Sequence, residues 1–244
     1  MSNHVVLNNV DHKDLRILAT RSAALGDQVM FALTFAAEFR NIQAHYPIVF
    51  RKDTETGEFQ PIAMFGFEEH ENLFLDDGGW TVPYVPLAIE RQPFLIGQAQ
   101  ASADGDEQQV VVHIDMDSPR VSRTEGETVF MTHGGGSEFL DRTTSVLRTL
   151  HEGLAVNQVF IQALLTLELL ESFTLDVELS SGAQHRLVGF YGINEDKLAA
   201  LDADVLARLH KKGYLQAIYM VIASMSNWRD LIKRRDTHQT LSQD

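Results

Sequence analysis

His113 stands two residues before Asp115, and on a strand that spacing puts both side chains on one face. With a distant third ligand, His185, they would form the two-histidine, one-carboxylate set that holds Fe(II) in non-haem oxygenases. Chance sets the weight of this pairing. Ten histidines and 18 aspartates in 244 positions give about 0.7 such pairs at random, and His12-Lys13-Asp14 supplies a second match. His133-Gly134-Gly135-Gly136-Ser137 has the makings of an oxyanion loop, in which glycines let backbone N–H groups approach a developing negative charge. An esterase of that kind also needs a nucleophile on a G-x-S-x-G elbow, and the sequence has none. A loop capping the helix that follows accounts for the same residues. His151-Glu152 opens like a zinc-protease helix but has Ala155 where the second histidine belongs. No phosphate-binding glycine loop follows a predicted strand. Glu68, Glu69, Glu71, Asp76 and Asp77 lack the spacing of a calcium loop and read as a solvated turn.

Trp80, Tyr84, Arg91 and Phe94 carry a different chemistry. They are spread among Pro83, Pro86 and Pro93, which bar a long helix. Irregular segments held by a scaffold often carry binding sites, and Trp, Tyr and Arg are the richest residues in contact energy. With Tyr46 nearby, this set is the expected contact surface for a protein, a peptide or a small aromatic ligand. No cofactor is expected, Fe(II) being required only by the oxygenase alternative.

The elements that must position these residues fall into three regions. Residues 29–35, 46–50, 59–67 and 72–75 read as strands joined by turns, with a short helix over 36–45. Residues 80–139 are irregular. Within them 98–109 is a polar loop, 110–114 a buried strand, and 118–137 a loop ending in glycines. From 139 to 171 Leu140, Leu147, Leu150, Leu154, Ile161 and Leu164 share one helical face. Asn157 interrupts that stripe, and a buried amide there must find partners in the core. Residues 173–179 and 186–193 form a hairpin turned at Ser181-Gly182. Asn194 then caps a helix that buries Leu198, Leu201, Val205 and Leu209 and ends at Lys211-Lys212-Gly213. A last helix runs over about 215–235, its Arg229, Lys233, Arg234 and Arg235 suiting the negative helix end. Antiparallel hairpins with helices gathered in the C-terminal half make an α+β fold. It is expected as a single domain over residues 1–235 with a polar tail at 236–244.

Composition narrows the partners. A net charge of −14, from 34 acidic and 20 basic residues, disfavours nucleic acid and anionic membrane surfaces. The lack of cysteine removes disulfides, thiolate metal sites and a cysteine nucleophile. No apolar leader opens the chain, and no run reaches the ~18 apolar residues of a spanning helix. No membrane insertion and a cytoplasmic location are therefore expected.

Glu38-Phe39, Tyr46-Pro47-Ile48-Val49-Phe50, Phe65-Gly66, Asn72-Leu73-Phe74, Tyr84-Val85-Pro86 and Arg91-x-Pro93-Phe94 together resemble the SapC family of bacterial proteins. Leu187-Val188-Gly189-Phe190-Tyr191 and Gly213-Tyr214-Leu215 extend the likeness in the same order, over about residues 4–235. The resemblance implies genes beside those of TonB-dependent receptors, tryptophan halogenase-like proteins and cupin-like or hydroxylase-like proteins. It thereby implies a role near nutrient uptake or modification. It requires no histidine at position 113, and its shared aromatics, glycines and prolines look like a recognition fold. The leading expectation is a non-enzymatic binding or accessory protein, with a homodimer left open. The alternatives are the Fe(II) oxygenase and, from the family name, a surface-layer structural component.

Overall fold

The computed structural model describes residues 3–98, 110–179, 182 and 184–241. The chain opens with strands β1 (His4–Val6), β2 (Arg16–Ile17) and β3 (Phe31–Leu33), helix α1 (Phe39–Ile42), and the paired strands β4 (Ile48–Lys52) and β5 (Phe59–Met64). Next come β6 (Leu75–Asp76), β7 (Gly79–Trp80), α2 (Leu87–Glu90), β8 (Phe94–Gln98), β9 (Val110–Asp115), β10 (Val121–Ser122) and β11 (Glu127–Thr128). The long helix α3 (Glu138–Thr166) leads to the hairpin β12 (Leu170–Glu178) and β13 (Gln184–Ile193). Helices α4 (Glu195–Ala199), α5 (Ala203–Lys211), α6 (Tyr214–Ser224) and α7 (Trp228–Leu241) follow. The antiparallel sheets and the mainly C-terminal helices make an α+β fold. No helix among the described residues is long and apolar enough to cross a membrane. The loop expected over residues 98–109 lies almost wholly outside the described residues, as does Ser181 of the hairpin turn.

Contacts divide the chain into two compact units, residues 1–27 with 87–152 and residues 28–86 with 153–244. The first unit holds the three-stranded sheets β1-β9-β8 and β10-β2-β11. Its core gathers Leu15, Ile17, Phe94, Ile114, Val129 and Leu147. Beside that core lies a buried charge cluster. Arg120 donates to Asp27 at 2.6 Å and to the carbonyls of Leu18 and Thr20 at 3.0 and 2.8 Å. Arg21 adds a second cation 3.4 Å from Asp27. Ser137 caps the start of α3, its Oγ accepting from the Leu140 N–H and donating to the Thr128 carbonyl, so the glycine-rich loop ends in a capping serine.

The second unit is built on one antiparallel sheet in the order β12-β13-β4-β5-β3, with the small β6–β7 hairpin apart. Ile48, Val49 and Phe50 of β4 are fully buried, which is why that strand reads as a continuous apolar run. The β12–β13 register shifts between Phe173 and Leu175, and Gly189 lies in that irregularity at φ +84°, a conformation that suits glycine.

Residues 72–74 are not in a strand, the helix expected over 36–45 is confined to Phe39–Ile42, and β8, β10 and β11 lie in stretches expected to be irregular; three helix boundaries move as well. Helix α3 stops at Thr166 rather than running to 171, because Glu168 turns left-handed at φ +51° and the Leu169 N–H bonds back to the Leu164 carbonyl. The helix expected to bury Leu198 through Leu209 is two helices. Asn194 caps the first through the Lys197 N–H, and Asp202 starts the second by accepting from the Val205 N–H at 2.8 Å. The last helix is broken by a tight turn at Met225–Asn227 and then continues to Leu241, so residues 236–241 are helical.

Candidate functional site

The structure brings three of the five expected contact residues together in the second unit. Tyr46 follows α1, and its ring meets Phe65 and Phe74 edge-on at 5.3 and 4.7 Å. Trp80, on β7, donates from Nε1 to the Tyr46 hydroxyl at 2.7 Å, and that hydroxyl donates to the Tyr84 carbonyl at 2.5 Å. The Tyr84 hydroxyl donates to Glu38, which also accepts from Thr34 Oγ1 at 2.7 Å. From there Asn157 of α3 donates to the Thr34 carbonyl and accepts from the Ala36 N–H. The amide on the apolar stripe thus finds both partners inside the core. Tyr46 is fully buried, and burial pushes its hydroxyl well above the usual tyrosine range, so it stays a neutral donor. Trp80 and Tyr84 are half-buried, and their polar atoms point into this network. Arg234 lies over the Phe74 ring and donates to Thr81 at 3.0 Å, which employs one of the C-terminal basic residues.

Arg91 and Phe94 belong to the first unit. Phe94 is 0% exposed in its core, and Arg91 is half-buried, donating to the Phe94 carbonyl at 2.7 Å. Burial lowers the Arg91 pKa from its ordinary value. The proline-broken stretch is therefore divided between the two units.

His113 and Asp115 both lie on β9 of the first unit, and His185 lies on β13 of the second. The His113 ring packs so closely on Gly97 that a Cβ there would sit 2.5 Å from its Nε2. Asp115 accepts the backbone N–H groups of Asn3 and Asp117. His185 Nδ1 faces Glu68 at 3.1 Å, in a cluster where Arg235 pairs with Glu68 and Glu71. Among the described residues no three His, Asp or Glu side chains converge to hold a metal.

A different surface emerges on α3. Residues 153–167 carry no charge, fifteen positions between Glu152 and Glu168 in a chain that is 22% charged. Its inward side buries Phe160, Ile161 and Leu164, while Val156 and Val159 on its outward side are 58% and 57% exposed. Two clefts flank this half of the helix. One, of 390 Å³, is lined by Val159, Ala163 and Leu167 of α3, Val205 and Leu209 of α5, and Tyr214. Arg208 and Lys212, both exposed, stand at its edge. The other, of 590 Å³, faces the β4–β5 turn through Lys52, Phe59, Ile161 and Leu165. Val159 and Gln162 line both, so they form the ridge between them. The first cleft is mainly apolar and the second is mixed, with Glu58 and Gln158 also in its lining; clefts of this size can hold small ligands.

The spacing of the leucines on α3 points to its inward stripe and not to this outward face. Its signal was present as the long charge-free run, because a solvent-facing helix surface ordinarily carries charges. The clefts have no such signal, since they depend on α5 and the β4–β5 turn meeting α3 from distant parts of the chain.

Fold and surface together define an α+β protein with an uncharged helix ridge between two clefts. The chain belongs to the SapC family, whose model matches residues 7–231 of its 244. No curated protein and no solved structure matches it.

Proposed function

We propose that the chain is a non-enzymatic binding or accessory protein that holds an apolar ligand, or an apolar segment of a partner, on the outward face of α3. A place in bacterial nutrient uptake follows from the family resemblance described above. The observation that carries the reading is the charge-free ridge, exposed at Val156 and Val159 and continuous with a cleft on each side. Scattered exposed apolar residues are ordinary, but a helix face without charge that exposes valines between two clefts is a candidate contact site. The Tyr46–Trp80–Tyr84 network supports this surface from within, because it reaches Asn157 of α3 through Glu38 and Thr34. In this reading Trp80 and Tyr84 position the helix, and the helix makes the contact.

An uncharged dye, Nile red, tests the proposal. The native chain should bind it with enhanced, blue-shifted emission. A Val156→Glu/Val159→Glu variant should lose that response and keep its thermal midpoint, since both positions are largely exposed. An equal response from both proteins would rule the ridge out as the contact surface.

A further inference from the structure

We infer that the cleft between α3 and α5 takes an anionic amphiphile, a carboxylate on an aliphatic body. This rests on the reading of α3 as a contact surface and goes further by fixing the charge of the occupant. The cleft wall is mainly apolar, with Val159, Ala163 and Leu167 on one side and Val205 and Leu209 on the other, and Gln162 and Thr166 also lining it. Val205, Arg208, Leu209 and Lys212 stand at helical spacings of three and four, so α5 turns one face to the cleft with two apolar and two cationic side chains. Both cations are exposed, and Lys212 lies 5.7 Å from the centre of the Tyr214 ring, which also lines the cleft.

Among the described residues six of the chain's 20 basic side chains pair with a carboxylate, Arg234 with Asp230 among them. Arg120 and Arg21 hold Asp27, Lys197 holds Glu168, Arg186 holds Asp176, and Arg235 holds Glu68 and Glu71. Among the described residues Arg208 and Lys212 make no such ion pair. The end of α5 favours basic residues through its dipole, but the dipole does not require two of them to border an apolar cleft. A guanidinium and an ammonium beside a hydrocarbon-sized trough complement a carboxylate headgroup. A neutral or cationic amphiphile would meet the same trough without that attraction or against it.

Three probes of equal length separate headgroup from body: octanoate, octanol and octylammonium, titrated calorimetrically into the full chain. Octanoate should bind more tightly than octanol, and octylammonium most weakly. An Arg208→Gln/Lys212→Gln variant should weaken octanoate by about fivefold and leave octanol unchanged. Lys211→Gln, an exposed neighbour that does not line the cleft, should leave all three unchanged. Ala163→Trp, which fills the trough, should abolish binding of all three, with circular dichroism checking that the variant folds. Octanol binding as tightly as octanoate would overturn the anionic assignment and leave the apolar surface standing. Octanoate binding that survives both the charge and the filling variants would place its site elsewhere. Failure of all three probes, together with a native Nile red response that the ridge variant fails to remove, would bring down the underlying reading as well.

Discussion

Removing one oxygen from Tyr46 takes away the acceptor of the Trp80 indole N–H and the hydroxyl's own bond to the Tyr84 carbonyl. An unsatisfied buried polar group costs about 1–3 kcal/mol. Tyr46→Phe should therefore lower the unfolding free energy by that order, read from urea denaturation. The same residue predicts a pH effect. Burial raises its pKa in the folded state above the ordinary tyrosine value of 10.0, so the folded chain holds this proton more tightly than the unfolded chain does. Below pH 10 both states keep the proton and the contribution is intact. Above it the unfolded chain ionises first, and stability falls as pH rises. The native chain should lose stability there more steeply than Tyr46→Phe, by up to about 1.4 kcal/mol per pH unit. Equal slopes would mean that the hydroxyl is not held neutral by burial. Asp27 is the other residue on which much depends. Its replacement by alanine leaves Arg120 buried at 1% exposure without a counter-charge, a loss of about 3–5 kcal/mol. A midpoint shift of under a degree in thermal unfolding would contradict that account.

Helix α3 carries both a buried core stripe and the proposed contact face. Gly153 lies in its middle, where glycine costs helix stability relative to alanine by about 1 kcal/mol. Its reason is contact, since a Cβ there would sit 2.2 Å from the buried Phe35 ring. Gly153→Ala should accordingly destabilise the fold by about 1–3 kcal/mol rather than stabilise it, and a gain in urea midpoint would refute the contact. Much of this element was legible in the sequence. Leu147, Leu150, Ile161 and Leu164 were placed inward by their spacing, and they are buried. Asn157 was recognised as a buried amide in need of partners, and Thr34 and Ala36 supply them. What could not be read was where α3 stops, because a left-handed Glu168 has no residue-type signature. The capping by Asp202 was missed because the apolar spacing continues unbroken from Leu198 to Leu209. Composition singles out Trp80 and Tyr84, and the structure brings both to Tyr46, but composition does not reveal which way a polar atom points.

At the scale of the whole molecule, the chain divides its residues between two compact units that interleave in sequence. That interleaving explains why a single proline-rich stretch, read as one surface, contributes Trp80 and Tyr84 to one unit and Arg91 and Phe94 to the other. Charge is distributed to match the proposed role. A net charge of −14 discourages nonspecific contact with anionic surfaces, while one helix face of the second unit carries no charge. The most direct test is amide chemical-shift mapping of the full chain titrated with octanol. Perturbations are predicted at residues 156–167, at the α5 positions Val205–Lys212, and along the β4–β5 turn. Perturbations centred instead on residues 80–94, with α3 and α5 silent, would contradict the account and give the contact surface back to the proline-broken aromatic segment.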